Sequence, residues 1–362
     1  MSEFMNTDKK GKSLSLVIAS LSSGGAERVI SLLANNLADQ VAQINLIVLT
    51  QGPRFYELDP RIKVYEPDFK IEDLGRLKFT IRNFLWLRSL WKKLNASAAL
   101  SFGGKYNAFV LLSALGKGQK IFVSDRSRPS ISYGKFLDKV NPIIYRRAAG
   151  IVAQTERAKT LMARATGHKN IKVIPNPVPQ IPEGTEMREK VILNAGRFIG
   201  SKHQDWLIQY FEQIEDQDWI LRFLGEGPLW DKVKAKAAQS PKKEQIEFLG
   251  NVNPIVPYYQ KAGIFAFTST SEGFPNALGE AMSAGCPVIS FDCEAGPADL
   301  IENEVSGYLI DEGNHEDYIN KLKLLVAEFN KREELGAAAR EHMKRFEETE
   351  ICMNYLNFML AS

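Results

Sequence analysis

Glu272 and Glu280 stand eight residues apart in the segment 269–291, STSEGFPNALGEAMSAGCPVISF. The apolar run 264–268 ahead of it has strand character, and a helix is expected to begin near Asn276 or Ala277. Glu272 then precedes the helix start and Glu280 lies one turn inside it, so both can face one ligand from the N-terminal end. That end offers free backbone N–H groups and the positive pole of the helix dipole, which suit phosphate. Carboxylates nearby suit hydroxyl groups, because each accepts several short hydrogen bonds. A nucleotide diphosphate sugar has phosphates flanked by polyhydroxylated rings on both sides. Spacing alone allows the plainer reading equally, a capped surface helix with two solvated glutamates.

Two further segments carry charge or glycine where a ligand loop belongs. Arg197 and Lys202, in 194–202 (NAGRFIGSK), are like charges in one loop after a strand. A diphosphate explains the pair, and two cations can stabilise it as it leaves; taken alone, the pair also reads as solvated charge. Gly24-Gly25-Ala26-Glu27-Arg28 follows the first strand, and its glycines let a ligand approach backbone N–H groups. It is not a GxGxxG fingerprint, which weakens an oxidoreductase reading. Asp216-Gln217-Asp218 has the spacing of a metal-binding DxD motif, but it precedes the strand 219–224, at the end away from ligands, and reads as a surface turn. No metal-ligand cluster is visible, and no metal or other cofactor is expected.

The elements that hold these residues alternate. Strand-like runs at 14–19, 44–49, 98–102, 120–123 and 150–153 give way to polar or glycine-rich loops, with helical spacing over 26–37. Prolines 175, 177 and 179 then mark a linker. The rhythm restarts with strands at 191–195, 219–224, 246–249, 264–268 and 287–291 and helices at 205–214, 316–329 and 333–346. The pattern predicts an α/β protein of two Rossmann-like, doubly wound domains facing a cleft, and a length of 362 residues suits two cores. With 44% hydrophobic and 25% charged residues, the chain should fold rather than stay disordered. Cys286, Cys293 and Cys352 are odd in number and lack CxxC spacing, which points to a reducing cytoplasm; the first two, flanking a strand, read as small buried hydrophobes. No signal peptide and no bilayer-length apolar run is evident. The opening Met1-Ser2-Glu3-Phe4 before Met5 resembles a cloning scar, so 1–11 stays out of the fold argument as a tag or disordered terminus.

Charge is unevenly divided. From 12 to 178 there are 26 Lys+Arg against 11 Asp+Glu, and from 179 onward 18 against 30, within an overall net charge of +3. Such asymmetry concerns partners and encounter rather than fold. Within the basic half, 70–93 (KIEDLGRLKFTIRNFLWLRSLWKK) interleaves Arg76, Lys78, Arg82 and other basic residues with Phe79, Phe84, Leu85, Trp86, Leu87, Leu90 and Trp91. One expectation is a peripheral helix whose Arg76, Lys78, Arg82 and Trp86 meet an anionic membrane. The other is a helix packed on the sheet with a solvated basic edge.

Taken together, GGAER, IPNPV, GRFIGSK, GEGP, FLGNV and EGFPNALGEAMSAGCPVIS resemble the family 4 glycosyltransferases, retaining enzymes of the GT-B fold. The likeness runs from about residue 14 to 307 and is closest to bacterial enzymes that extend lipid-linked oligosaccharides or surface polysaccharides. It implies a hexosyl transfer from a nucleotide sugar, UDP-linked on family grounds, to a glycan acceptor that is lipid-linked, with no nucleic acid partner. It implies an acceptor-binding domain at 12–178, a nucleotide-sugar domain at 179–345, and a C-terminal helix at 346–362 returning to the first. Arg197 and Lys202 would bind and stabilise the donor diphosphate, Glu280 the ribose, and Glu272 the transferred sugar. Gly196 and Gly273, with the amides of Phe274, Pro275 and Asn276, would lie along the sugar and phosphates, Asn251 and Val252 near the base, and Gly24 and Gly25 would close on the phosphates. The family's same-face attack, with the leaving phosphate helping to deprotonate the acceptor, fits a sequence without an evident carboxylate nucleophile. One departure stands out: Arg126, in 123–129, occupies the place of a histidine common in the family. Asp125 or Arg126 is expected to contact donor or acceptor, but the histidine's role does not transfer. The competing reading is a non-catalytic nucleotide-sugar-binding module or inactive subunit; a phosphorylase or epimerase lacks a visible cofactor lysine or catalytic dyad.

Overall fold

The computed structural model describes residues 11–128 and 130–361; the tag reading of 1–11 falls, apart from Gly11, outside them, as does Pro129. The chain divides into two compact units, one formed by residues up to 177 together with 348 onward, the other by 178–347.

The first unit holds strands β1 (Ser13–Ile18), β2 (Gln43–Val48), β3 (Lys63–Tyr65), β4 (Ala98–Phe102), β5 (Ile121–Ser124), β6 (Gly150–Ala153) and β7 (Ile171–Val173). They form one parallel sheet in the order β3-β2-β1-β4-β5-β6-β7. The central strands are near-continuous apolar runs because helices cover both faces. The crossover helices are α1 (Gly25–Leu37), α2 (Ile71–Leu94), α3 (Gly104–Ser113), α4 (Lys135–Tyr145) and α5 (Glu156–Thr166). Leu14, Leu16, Leu46, Leu100 and Phe122 point to the face covered by α1, whereas Val17, Ile47, Ala99, Val123 and Ile151 meet α2, α3 and α4.

In the second unit β8 (Glu189–Ala195), β9 (Ile220–Leu224), β10 (Ile246–Phe248), β11 (Ala262–Phe267), β12 (Val288–Asp292) and β13 (Tyr308–Asp311) form a parallel sheet ordered β10-β9-β8-β11-β12-β13. Its helices are α6 (Gln204–Phe211), α7 (Trp230–Ala237), α8 (Val256–Lys261), α9 (Asn276–Ser283), α10 (Pro297–Leu300), α11 (His315–Ala327) and α12 (Phe329–Met343). Strand order reverses between β8 and β11, and the loops after these two strands open where a doubly wound sheet takes its ligand. Asp216 and Asp218 lie at the opposite, amino end of β9, ion-paired with Lys190 at 3.0 and 2.9 Å. All three cysteines are free and buried.

The basic helix α2 is only partly what its composition suggests. Phe79, Leu87, Leu90 and Trp91 are buried, and Trp86 is half-buried against the same core, so part of its ring serves packing. Arg76, Lys78 and Arg82 are exposed, and the apolar residues beside them are Leu77, Ile81 and Leu85, at i, i+4 and i+8. A kink at Gly75 (φ 70°) sets this segment apart from the first turn. Arg82 leans over the Phe69 ring at 4.4 Å.

A last helix, α13 (Glu348–Leu360), packs on the α1 face of the first unit through Ile351, Cys352, Tyr355, Leu356 and Met359. The Tyr355 ring lies 6.4 Å from Phe102, and its hydroxyl bonds Ile174 O at 3.4 Å. Truncating a fully buried aromatic typically costs about 3–5 kcal/mol. Tyr355→Ala is therefore expected to lower first-unit stability by about that much in a denaturant titration, and a loss below about 1 kcal/mol would contradict this packing.

Candidate active site

The loop after β8 is held by its backbone and one ring. Gly196 N donates to Leu224 O and Phe198 N to Glu226 O, both at 3.0 Å, and Leu229 N returns a bond to Phe198 O at 3.1 Å. The Phe198 ring is fully buried, 4.9 Å from Trp230 and 5.9 Å from Phe223. Its inward anchoring leaves its neighbour Arg197 exposed. Gly225 permits the approach: its φ is 110°, and a Cβ there would sit 2.2 Å from Gly196 O.

Lys202 ends this loop in a short 3-10 turn, Gly200–Lys202. Its Nζ makes an ion pair with Glu272 Oε1, and the two side chains retain only 18% and 10% exposure. The ammonium also stands 5.0 Å from the Phe267 ring. The loops that carry the pair are stitched together, with Thr268 Oγ1 donating to Lys202 O at 2.8 Å and Thr270 N to Ser201 O at 2.9 Å. His203, left-handed at φ 47°, stacks on Trp206 at 3.7 Å, and its Nε2 lies 3.1 Å from Thr270 Oγ1. Burial lowers its pKa, which favours a neutral ring. Thr268, Thr270 and His203 were not singled out in the sequence; the polar end of strand β11 is the signal that points to the threonines.

Helix α9 begins at Asn276, with Gly273, Phe274 and Pro275 leading into it and Glu272 before them. Glu280, one turn in, is 3% exposed. Gly296 (φ 103°) lets the following loop close on this start, since a Cβ there would be 2.4 Å from Pro275 Cδ. Asn251 donates to Glu226 Oε2 at 3.0 Å. Val252 lines a cavity of about 380 Å³ with Arg222, Asn253, Pro254, Pro257, Tyr258 and Lys261. Arg197, Lys202, Glu272, Glu280 and the α9 start thus share the carboxyl edge of β8 and β11.

In the first unit, Gly24 caps α1 with extended backbone (φ −161°, ψ 161°) and Gly25 is the first helical residue. Glu27 folds back over Gly24, where its Oε1 accepts from Ser20 Oγ at 3.2 Å. Asp125, after β5, accepts from Tyr133 Oη at 2.7 Å and from Ser127 N at 3.2 Å. Burial raises its pKa, opposed by these bonds and by the amides of Gly104 and Arg126. Arg126 is directed into the unit: its guanidinium carbon lies 4.4 Å over Phe102, and it donates to Ser124 Oγ at 3.2 Å, to Tyr355 Oη at 3.1 Å and to Asn176 Oδ1. Asn176 belongs to the proline segment, so the arginine ties the β5 loop to that segment and to α13.

Gly225 gives the sharpest local test. Gly225→Ala combines a left-handed φ with a backbone clash and is expected to cost about 1–3 kcal/mol. The displaced Gly196–Lys202 loop should also lose its thermal stabilisation by a nucleoside diphosphate. Unchanged melting and an unchanged ligand response would refute this role for the glycine.

Comparison with known proteins follows the same division of the chain. Residues 23–180 match the model of Glycosyltransferase Family 4, and residues 180–342 that of Glycosyl transferases group 1. The amylovoran biosynthesis glycosyltransferase AmsD of Erwinia amylovora is 26% identical over 336 residues, 91% of this chain and 93% of that protein. An N-acetylgalactosaminyltransferase of Campylobacter jejuni, named for an N-acetylgalactosamine-N,N'-diacetylbacillosaminyl-diphospho-undecaprenol substrate, is 26% identical over 365 residues, 96% of this chain and 99% of its own. Among solved structures, TarM superposes with a TM-score of 0.83 at 16% identity, covering 96% and 98% of the two chains. Anabaena HepE in complex with UDP-glucose gives 0.80 at 17%, covering 97% and 100%. The two parallel-sheet domains have the GT-B fold, and the chain belongs to the family 4 glycosyltransferases.

Proposed function

We propose that this glycosyltransferase moves a hexosyl group, with retention of configuration, from a UDP-sugar to a lipid-linked glycan acceptor in polysaccharide or glycoconjugate assembly. The observation that carries the reading is the Lys202–Glu272 ion pair before the start of α9, with Arg197 exposed in the Lys202 loop and Glu280 buried in the helix. A diphosphate offers Lys202 a stronger anionic partner than one carboxylate. As Lys202 turns to the phosphates, Glu272 is released to accept hydroxyl hydrogen bonds from the transferred sugar. Arg197 adds a second cation, and the amides from Phe274 to Asn276 present the positive end of the helix. Glu280 takes the ribose hydroxyls, and Asn251 and Val252 border the base. Gly24 and Gly25 close on the donor phosphates in this reading, and Asp125 contacts donor or acceptor.

In the reaction, the bond from the anomeric carbon to the β-phosphate oxygen breaks and its electron pair leaves with the diphosphate. The acceptor hydroxyl oxygen forms the new bond on the same face, and its proton passes to the departing phosphate oxygen. Arg197 and Lys202 stabilise the charge that grows on that phosphate. The printed names of relatives support the substrates: the Campylobacter protein's name carries a diphospho-undecaprenol substrate, and HepE was crystallised with UDP-glucose. A lipid-linked acceptor suits docking on the cytoplasmic membrane face through α2, where Leu77, Ile81 and Leu85 stand beside Lys78 and Arg82. No helix among the described residues is long and apolar enough to cross a membrane.

A thermal-shift panel of UDP-, GDP- and ADP-sugars tests the donor, since a ligand of the native state raises apparent stability. UDP-sugars should give the largest shift, and a larger response to another base would overturn that assignment. Lys202→Gln and Arg197→Ala are expected to lower turnover about 10²–10³-fold, the usual cost of losing an electrostatic stabiliser, with the fold intact by circular dichroism. Near-wild-type turnover in both would sink the site. Transfer should survive EDTA and give a product whose NMR coupling reports the donor's own anomeric configuration; loss of activity on chelation restored by Mg²⁺, or an inverted product, would count against the mechanism.

A further inference from the structure

Helix α4 presents a face that the functional reading so far does not use. Phe136 is 75% exposed and Ile143 56%, one apolar pair seven residues apart on the same side of the helix. At roughly 100° per residue, they share one side of the helix with exposed Lys135 and Lys139, and exposed Arg146, the C-cap, continues that side; Arg147, also exposed, lies in the turn just beyond. The opposite arc, with Asn141, Ile144 and Tyr145, is buried on the sheet. Lys135, Lys139 and Arg147 make no ion pair among the described residues. The one acid of the helix, Asp138, is turned away from the arc, accepting from Ser132 Oγ at 2.5 Å and Tyr133 N at 2.7 Å.

We propose that α4 is a second membrane-docking element, inserting Phe136 and Ile143 among the acyl chains of an anionic bilayer while Lys135, Lys139, Arg146 and Arg147 meet lipid phosphates. The proposal rests on the membrane reading given above for α2 and adds a site to it. An exposed apolar pair flanked by exposed cations matches an anionic interface; of these, Arg146 also donates through Nε to Thr166 O at 2.9 Å. The two helices cover the same sheet face, with α3 packed between them. Two weak contacts on one rigid layer reinforce each other, because engaging one raises the effective concentration of the other. The docked helix is also wired to the loop after β5. Asp138 holds the amide of Tyr133, whose hydroxyl donates to Asp125 at 2.7 Å, so a bilayer at α4 would bear on the loop that carries Asp125.

The test is co-sedimentation of the full chain with vesicles of phosphatidylcholine alone or mixed with phosphatidylglycerol. Wild type should bind the mixed vesicles and release at high salt. Each basic side chain near such a surface is worth about a fivefold change in partition, so Lys135→Ala with Lys139→Ala should weaken binding about 25-fold. Phe136→Ser with Ile143→Ser should weaken it similarly while leaving the circular dichroism spectrum and the thermal response to UDP unchanged. Wild-type binding by both α4 double variants, alongside loss in Leu77→Ser with Leu85→Ser, would overturn the α4 proposal and leave the α2 reading standing. No binding of wild type to either vesicle would overturn both. Concentration-dependent dimerisation abolished by Phe136→Ser, without vesicle binding, would assign the face to a second copy and overturn the proposal as well.

Discussion

The ion pair between Lys202 and Glu272 is the contact on which the site depends. It joins side chains seventy positions apart because β8 and β11 are neighbours in the sheet and their loops leave at the same edge. Two charges with so little exposure are costly unless matched, and removing one partner of a buried pair costs about 3–5 kcal/mol, less where water still reaches. The pair therefore holds both loops in register before any ligand arrives, helped by the threonine bonds that sew the two backbones together. It also keeps each charged group in a place where another partner can take it over. Preorganisation of this kind is what an electrostatically driven transfer requires.

Glycines and one aromatic ring prepare the ground for that pair. Phe198 draws the β8 loop into the core while Arg197, its neighbour, faces out. Gly225 and Gly227 let the adjoining loop lie against the Gly196–Phe198 backbone with no side chain between. At the other wall Gly296 lets a loop press on Pro275, which fixes where α9 starts and thus where Glu272 and Glu280 stand. The first unit uses a different device. Its Arg126 after β5 turns to its own chain, at Phe102, Asn176 and Tyr355.

The doubly wound fold was legible in the sequence because its central strands are buried on both faces and read as plain apolar runs. The strands it did not reveal are β3, β7 and β13, three or four residues long and lying at sheet edges; Lys63-Val64-Tyr65 and Ile171-Lys172-Val173 have no apolar run to detect. The E-x7-E spacing and the start of α9 near Asn276 were readable because helix signals are local. That Lys202 would meet Glu272 was not, since nothing in either segment names the other. The aromatic residues of α2 allowed both a packed and a membrane-facing helix for a related reason: composition reports that a helix carries apolar residues, but only packing decides which of them face the core. Trp91 went inward, Trp86 only halfway, and Leu77, Ile81 and Leu85 were left outside.

The return of α13 to the first unit has a consequence for synthesis. Strands β1, β2, β4 and β5 leave the ribosome early, yet part of the face they present stays uncovered until Tyr355, Leu356 and Met359 have followed the whole second unit out. The usual order, in which the N-terminal domain is finished first, is thus reversed: the second unit, continuous from 178 to 347, can complete its core while the first still exposes apolar surface. A chain cut before Tyr355 would hold every residue of the second unit's core while leaving apolar surface of the first unit bare.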